Sequence, residues 1–194
     1  MNFKRPLILG SSSPRRQFLM KEAGYAFTLA KPEGDESFPS SIPVEVVPQY
    51  LAEKKAKSIE YQLKGDEVIL TSDTVVILNG QILNKPTDRE HAMAMLSELS
   101  GKTHTVITAV CLLDKHTMDC FDDRTRVTFK QLTPEEIAYY VDNYQPYDKA
   151  GAYGAQDWIG MVAIEKIEGS YFTVMGLPMH KVYTHLQNFQ DSTS

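Results

Sequence analysis

The chain has 194 residues, of which 42% are hydrophobic, and a formal net charge of −5. This length suits one domain, or one domain with a small second lobe, and it allows folding without a disulfide or a structural metal. The acidic balance argues against a general binder of nucleic acid or of anionic membranes, although a local basic pocket for a small anion remains compatible with it.

The first half of the chain alternates strand and helix patterns, which is typical of an α/β fold. Ser13 and Pro14 read as the N-cap and first turn of a helix that Gly24 ends. The predicted elements are a strand over 7–9, a helix from Pro14 to Gly24, a strand over 25–30, a loop over 31–43 and a helix over 44–62.

The second half begins with a long β-branched run, 68–78, and Asn79-Gly80 predicts a hairpin turn into a short strand over 81–83. Two capping boxes, Thr87 with Glu90 and Thr133 with Glu136, predict helices. These helices would run to about Leu99 and Asn143, with a strand pair over 103–113 and 118–130 between them, and a loop over 144–160, one or two strands within 161–175 and a helix from Pro178 to about Phe189 would follow.

Hairpins inside a strand–helix pattern mean that the sheet is not purely parallel. We therefore expect an α/β fold with a mixed sheet flanked by helices. A single domain over 1–190 is expected, with a division into two lobes left open, and the polar end over 191–194 is expected to be a disordered tail.

The apolar run at Leu7-Ile8-Leu9 is too short for a signal peptide, and no segment approaches a membrane span. We expect a cytoplasmic protein with no membrane or nucleic-acid partner. Cys111 and Cys120 lack metal-ligand spacing. They could lie on neighbouring strands, but two reduced thiols fit a cytosolic protein better.

The segment from Ser11 to Arg16 places two arginines in the first turn of a helix, just after a strand. Cations are unfavourable at a helix N-terminus, whose free N–H groups attract anions. Arg15 and Arg16 make sense there if a bound phosphate neutralises them, because guanidinium matches phosphate oxygens. The alternative is a capped helix with solvated surface arginines.

Asp73 interrupts the apolar strand within Ser72-Asp73-Thr74. Aspartate is depleted in strands and costly to bury without a partner, so a metal or a cation should hold it. The alternative is that Asp73 faces water on an edge strand. The pair Asp35-Glu36 lies in the early loop, where the alternative is two solvated acidic side chains. Together with Asp73 it could supply oxygen ligands for Mg²⁺ or Mn²⁺, which take one or two carboxylates in phosphoryl chemistry.

Lys55, Lys85 and Gln156 are further candidates for binding. Lys55 belongs to a lysine-rich helix, where a solvated face is the alternative. Lys85 precedes a proline that keeps it extended and able to point into a site. Gln156 ends the loop 150–156, whose glycines allow close approach to a ligand; the alternative is a tight structural loop. The histidines show no zinc-like spacing and receive no role.

These segments together resemble the Maf family of nucleoside triphosphate pyrophosphatases, also described as septum-formation inhibitors. The motifs that carry the resemblance span nearly the whole chain. They are Leu9 to Arg16, Asp35-Glu36-Ser37, Leu51 to Ala56, Ser72 to Val76, Lys85-Pro86, Lys149 to Gly154 and Gly176-Leu177-Pro178.

The resemblance implies a fold like that of the inosine triphosphate pyrophosphatases, a mixed sheet with helices around a nucleotide cleft. It implies that Asp73 is the catalytic proton acceptor and that Glu36, with Asp73, holds a divalent cation. The residues that would line the triphosphate are Ser11, Arg15, Arg16, Lys55 and Lys85. A homodimer is left open.

Arg15, Thr74 and Gln156 match the positions that mark the family subgroup acting on dTTP and UTP. The resemblance therefore implies hydrolysis of these pyrimidine nucleotides, or of modified relatives, to monophosphate and pyrophosphate. Gly10 replaces a usual alanine, and Gly34 replaces a usual aliphatic residue and could loosen the loop that carries Glu36. Two other functions stay open: a nucleotide-binding regulator of septum formation without turnover, and a phosphatase that releases inorganic phosphate.

Overall fold

The structure is a computed structural model that describes residues 3–191. Its strands are β1 (Leu7–Gly10), β2 (Thr28–Ala30), β3 (Val68–Leu78), β4 (Gln81–Leu83), β5 (Thr103–Leu113), β6 (Met118–Phe129) and β7 (Ile164–Glu168). Its helices are α1 (Pro14–Glu22), α2 (Val47–Ser58), α3 (Arg89–Leu99), α4 (Pro134–Tyr144), α5 (Trp158–Ala163), α6 (Tyr171–Met175) and α7 (Met179–Asp191). Short 3₁₀ turns cover Glu60–Gln62 and Ala150–Ala152.

The sheet is mixed, as predicted, with the strand order β2-β1-β3-β5-β6-β7 and with β4 paired to β3. Strand β1 runs parallel to both β2 and β3, whereas β3–β4 and β6–β7 are antiparallel. The predicted hairpin between β3 and β4 is confirmed. Asn79 and Gly80 both have positive φ, 51° and 77°, which is the geometry that asparagine and glycine favour in a tight hairpin turn.

The described chain divides into two compact units. Unit 1 comprises the described residues up to Asp73, Thr108–Asp123, and the described residues from Gly176 onward. Unit 2 comprises Thr74–Ile107 and Arg124–Met175. The expected disordered tail falls largely on residues 192–194, which lie outside the described residues, whereas α7 ends at Asp191.

Each unit has its own hydrophobic core. In unit 1, small side chains of α2 lie against the strands, and Thr71 Oγ1 of β3 donates a 2.7 Å hydrogen bond to the Ala52 carbonyl of α2. The buried residues of this core include Ile8, Ala52, Ala56, Ile59, Ile69 and Ala109. In unit 2, α3 and α4 supply part of the core, together with the β-strand residues Val106, Val127 and Phe129.

The helix starts show one confirmed prediction and one error. Thr133 and Glu136 form the predicted capping box of α4, with both reciprocal hydrogen bonds present. For α3, however, the capping residue is Asp88, whose Oδ1 accepts from the His91 N–H at 2.8 Å. The predicted box based on Thr87 is therefore wrong, because the carboxylate one residue later takes the N-cap position and accepts the Thr87 hydroxyl as well, at 2.8 Å.

Cys111 of β5 and Cys120 of β6 are joined by a disulfide, so the prediction of two reduced thiols is wrong for this structure. The strands are neighbours in the sheet, and the pairing brings the two Cα atoms to 4.2 Å. Strand register, which the spacing of the cysteines in the sequence does not reveal, decided the outcome.

None of the helices between residues 3 and 191 has the length and apolar character that crossing a membrane requires.

Candidate active site

In unit 1, strand β1 ends at Gly10, one residue later than predicted, and helix α1 starts at Pro14, as predicted. Ser13 occupies the N-cap in an extended conformation. Among the residues that the structure describes, no N–H group donates a capping hydrogen bond to its side chain. Its own N–H donates instead to Oγ of the buried Ser11, at 3.1 Å. The first turn of α1 therefore keeps N–H groups that an anion can use.

Arg16 reaches from α1 to two other segments of unit 1. Its Nε donates to the Gly176 carbonyl and its Nη1 to the Ser72 carbonyl, both at 2.8 Å. Ser72 Oγ donates to the same Gly176 carbonyl at 3.2 Å. Arg16 therefore fixes the backbone next to Asp73, a positioning role that sequence reasoning missed when it treated Arg16 only as a phosphate contact. Arg15, on the same turn, is partly buried.

Asp73 is buried, with 7% of the residue exposed, so the alternative of a water-facing edge position is wrong. Lys55 of α2 lies between two carboxylates: its Nζ donates to Asp73 Oδ1 at 2.5 Å and to Glu36 Oε1 at 2.9 Å. Glu36 is exposed. The structure thus brings the predicted residues Glu36, Lys55 and Asp73 together in one unit.

The electrostatics of this cluster follow from burial. Loss of solvent raises the pKa of the Asp73 carboxyl, attraction to Lys55 and Arg16 opposes that rise only in part, and the nearby charge of Glu36 adds to it. Burial also lowers the pKa of the Arg16 guanidinium, although attraction to Asp73 opposes the change. A carboxylate with a raised pKa is a stronger base than an ordinary one, which suits proton abstraction near neutral pH.

A second ion pair holds the loop that carries Glu36. Lys54 Nζ donates to Asp35 Oδ1 at 2.6 Å and to the Ser37 carbonyl at 3.0 Å. Hydrogen bonds from Lys54 and Ser37 lower the pKa of Asp35 to about 2. Sequence reasoning assigned Lys54 no role, but its spacing, adjacent to Lys55 just as Asp35 is adjacent to Glu36, was a signal for two parallel ion pairs.

Gly10 and Gly34, the two glycines noted in the sequence, have structural reasons. Gly34 has φ +95°, a conformation that strains any residue with a side chain. At Gly10, a Cβ atom would lie 2.7 Å from Ile59 Cδ1 and from Thr71 Cγ2. The loop near Glu36 and the β1 exit are therefore both shaped for glycine, and the Lys54 and Lys55 ion pairs restrain the loop that Gly34 was expected to loosen.

A divalent cation has suitable donors here in terms of chemistry. Glu36 and Asp73 both reach the same ammonium group, and carboxylate oxygens are the ligands that Mg²⁺ and Mn²⁺ prefer. Across residues 3–191, no three His, Cys, Asp or Glu side chains are grouped as a protein-only metal cage would need. Two carboxylates, Glu36 and Asp73, fit an ion that takes the rest of its shell from substrate phosphates and water.

The remaining predicted residues belong to unit 2. Thr74 follows Asp73 on β3 and is partly buried, whereas Lys85 and Gln156 are exposed. The Gly151 N–H of the loop 150–156 donates to the Asn84 carbonyl at 3.2 Å. A Cβ atom on Gly151 would lie 3.1 Å from the Val76 side chain. This close approach explains the glycine and ties the loop that carries Gln156 to the segment that carries Lys85.

Comparison with known proteins agrees with the motifs. A family model described as Maf-like protein matches residues 6–189. The chain belongs to the Maf family. Similar proteins include a dTTP/UTP pyrophosphatase of Porphyromonas gingivalis, which is 46% identical over 194 residues, with 97% of this chain and 96% of the relative covered.

A dTTP/UTP pyrophosphatase of Bacteroides fragilis is 46% identical over 182 residues, covering 93% of this chain and 94% of the relative. One from Flavobacterium johnsoniae is 44% identical over 183 residues, covering 94% of each. The family resemblance predicted from the sequence is thereby confirmed over almost the full length.

Among solved structures, the Staphylococcus aureus Ham1 protein is similar with a TM-score of 0.48 and 10% identity, over 64% of this chain and 72% of that chain. A likeness at this level is too weak to support an assignment of function. The functional assignment of this chain rests on its family and on the geometry of the site.

Proposed function

We propose that this Maf-family chain hydrolyses nucleoside triphosphates to the nucleoside monophosphate and pyrophosphate, with dTTP and UTP as preferred substrates. The observation that carries the proposal is Asp73, a buried carboxylate of raised pKa inside an apolar strand, held by Lys55 and flanked by Arg16. The activity named for relatives that are 44–46% identical over almost the whole chain supports the reaction class.

In the proposed reaction, a water oxygen attacks the α-phosphorus and the bond from that phosphorus to the α,β-bridging oxygen breaks. Pyrophosphate leaves with the bridging oxygen. Asp73 accepts the proton of the attacking water and later returns it to solvent. Charge that develops on the phosphoryl oxygens is neutralised by cationic side chains, which is the larger part of catalysis in phosphoryl transfer. We assign that role to Arg15, Lys55 and Lys85, and phosphate binding to Ser11 and Arg16.

Glu36 and Asp73 would hold a divalent cation, Mg²⁺ or Mn²⁺. When bound, such an ion neutralises phosphate charge and orients the leaving group. Lys55 lies between the same two carboxylates and would keep them close together before substrate arrives, because attraction of each carboxylate to the ammonium opposes their mutual repulsion.

Choice of the base is assigned to Arg15, Thr74 and Gln156. A side-chain amide can pair with the donor and acceptor edge of a uracil or thymine ring. A site that satisfies this edge rejects purines, since its polar groups would be left without partners. We also propose a cytoplasmic house-cleaning role for the protein; a link to cell-division arrest and assembly as a homodimer are left open.

The test is turnover with product identification. Purified protein with Mg²⁺ or Mn²⁺ is given dTTP, UTP, ATP and GTP, and pyrophosphate, inorganic phosphate and monophosphate are measured. The proposal expects pyrophosphate and monophosphate in equal amounts, with a specificity constant for dTTP and UTP at least about tenfold above that for ATP and GTP, or roughly 1.4 kcal/mol. Release of inorganic phosphate would show a phosphatase, and tight nucleotide binding without products would show a binding regulator.

Base choice has its own matched pair of variants. Gln156→Ala is expected to reduce the ratio of the specificity constants for pyrimidine and purine nucleotides. Gln81→Ala, which removes an exposed glutamine of β4, should leave this ratio unchanged. If Gln156→Ala slows the hydrolysis of all four nucleotides alike, Gln156 stabilises the loop and does not recognise the base. A wild-type preference for ATP or GTP would overturn the assignment to the dTTP and UTP subgroup.

A further inference from the structure

The loop 150–156 of unit 2 contains two consecutive residues in the left-handed region. Gly151 has φ +70° and Ala152, which is fully buried, has φ +59°. Glycine adopts this conformation freely, but alanine does so at a cost because its Cβ crowds the backbone. Such a conformation persists only where surrounding contacts determine it. The Gly151 N–H donates to the Asn84 carbonyl at 3.2 Å, the Ala152 N–H donates to the Lys149 carbonyl at 3.1 Å, and the next residue, Tyr153, adds further contacts.

Tyr153 is anchored deep in the core of unit 2. Its hydroxyl lies 2.7 Å from Nε2 of His104 on β5. Its ring packs edge-on against Phe129, with the centroids 4.9 Å apart, and against the His104 ring at 5.4 Å. Tyr153 is 6% exposed and His104 is 2% exposed. The polar contact is thus sealed from solvent and joins the strained loop to a sheet strand.

His104 is an uncommon residue for such a place. Its other ring nitrogen, Nδ1, is buried and has no hydrogen-bond partner within the described residues. A buried polar atom without a partner is unfavourable, so an apolar side chain would suit this core position better if packing were its only purpose. Burial lowers the pKa of His104 to about 4 and raises the pKa of Tyr153, so both groups are neutral at pH 7.

The far side of the loop is held by a second tyrosine. The Gly154 N–H donates to the Tyr140 hydroxyl at 3.1 Å, and that hydroxyl donates to Asp157 Oδ2 at 2.7 Å. Gln156 lies between Gly154 and Asp157, and it is exposed. The backbone of Gln156 is therefore restrained from both sides, and its side chain remains available to a ligand.

We propose that His104 is a positioning residue for base selectivity: by hydrogen bonding to Tyr153 it fixes the strained loop that presents Gln156. This inference rests on the proposed function, in which Gln156 reads the pyrimidine edge. It assigns a role to a histidine that sequence spacing had left without one.

The test removes the hydrogen bond without removing the rings. Tyr153→Phe deletes one oxygen, and His104→Phe keeps a ring against Phe129. His104→Gln serves as the rescue, because an amide side chain can still pair with the tyrosine hydroxyl. The matched control is Tyr139→Phe, which deletes the same atom from an exposed tyrosine of α4.

Two readouts are measured for each variant: amide hydrogen exchange over residues 150–157, and the ratio of specificity constants for dTTP and ATP. For Tyr153→Phe and His104→Phe we expect faster exchange and a ratio lowered at least about tenfold, since small misplacements of a positioning group have large kinetic effects. His104→Gln should recover the ratio to within about threefold of wild type. Tyr139→Phe should change neither readout.

A purely structural role would lower the melting temperature and slow all nucleotides alike, leaving the ratio unchanged, and that result would overturn the inference. Unchanged exchange in both phenylalanine variants would do so too. If either single variant fails to fold, the double variant His104→Phe with Tyr153→Phe removes both polar atoms and should fold, because no unpaired group remains. In that double variant, a lowered ratio of the specificity constants for dTTP and ATP supports the inference, and an unchanged ratio overturns it. If the wild-type protein shows no preference for pyrimidine nucleotides, the proposed function is refuted instead. The hydrogen-exchange data then still test whether the contact between His104 and Tyr153 fixes the loop.

Discussion

Asp73→Asn is expected to abolish turnover while leaving the protein as stable as before or more so. The substitution keeps the size of the side chain and an oxygen that can accept from Lys55 Nζ, now 2.5 Å from Asp73 Oδ1. Loss of the general base alone should lower kcat by about 100-fold to 10,000-fold. Lys55 does not lose its last partner, because Glu36 remains at 2.9 Å.

The expected gain or neutrality in stability follows from the sign of the pKa shift. The pKa of Asp73 is raised in the folded protein by burial, despite Lys55 and Arg16. A raised carboxyl pKa means that the charged form is disfavoured by folding, so the cost is absent below the unfolded pKa and fully present above the folded one. The stability of the Asn variant relative to wild type should therefore rise as pH increases from 4 to 7.

Asp114→Asn provides the matched control. Asp114 forms a comparably buried ion pair with Arg5 at 2.8 Å. Burial acts to raise its pKa, but hydrogen bonds from the His116 N–H, from Arg5 and from the Thr117 N–H outweigh it, and the pKa is lowered. Here the charge stabilises the fold above the unfolded pKa. For Asp114→Asn we expect the free energy of unfolding to fall by about 1–2 kcal/mol after allowing for solvent screening. This corresponds to a melting temperature lower by roughly 4 °C.

The assay pairs thermal unfolding followed by circular dichroism, at pH 4 and pH 7, with pyrophosphate release from dTTP. The reasoning is refuted if Asp73→Asn destabilises as much as Asp114→Asn at pH 7, because the Asp73 carboxylate would then be a structural ion-pair partner. Turnover within tenfold of wild type in Asp73→Asn would refute the catalytic assignment independently.

Three further predictions concern α2, the helix caps and β1. Lys55→Met should reduce the specificity constant for dTTP at least about 100-fold, whereas Lys57→Met, on an exposed side chain paired with its own helix, should change it less than about twofold in the same pyrophosphate assay. Thr133→Ala should lower the free energy of unfolding in urea by about 1 kcal/mol, and Thr87→Ala by less than about 0.5 kcal/mol, because only the first is an N-cap. Gly10→Ala should cost about 1–3 kcal/mol in urea unfolding, since the added methyl group overlaps two packed side chains.

The glycine prediction has a control in Gly65→Ala, where the nearest atom to an added Cβ is 3.6 Å away; equal effects at the two glycines would contradict the packing argument. If Thr133→Ala and Thr87→Ala lower the free energy of unfolding equally, Thr87 would form the capping box of α3 that the sequence predicted, in place of the Asp88 cap. Comparable activity in Lys55→Met and Lys57→Met would mean that the ammonium between the two carboxylates has no part in the reaction.

Much of the backbone was readable from local signals. The β-branched run 68–78, the Asn79-Gly80 turn and the strand pair that follows α3 have the predicted bounds to within a residue, because pattern and turn chemistry there act within a few residues. Boundaries were poorer where propensity is weak. The strand predicted over 25–30 shrinks to β2, and the helix predicted over 44–62 ends at Ser58 and continues as a 3₁₀ turn.

The candidate site, too, was predicted in part from the sequence and revealed in part only by the structure. That Asp73 should be held by a cation was evident from an acid inside an apolar strand, and the motif order identified the family, which the comparisons confirm. The identity of the cation was not evident, because Lys54, Lys55 and Lys57 look alike in the sequence. The family resemblance implied a phosphate contact for Lys55, but only the helix turn of α2, which directs Lys55 toward Asp73 and leaves Lys57 exposed, identified Lys55 as the partner of Asp73.

By itself, then, the sequence determined the family, the mixed sheet, the hairpin and the residue types of the site, because each depends on neighbours a few positions away or on motif order. Tertiary structure alone decided that Arg16 binds the carbonyls of Ser72 and Gly176, 56 and 160 residues distant, and that Cys111 faces Cys120. It also decided that His104 meets Tyr153. Contacts of this kind depend on strand register and on packing between segments far apart in the chain, and no local pattern encodes either.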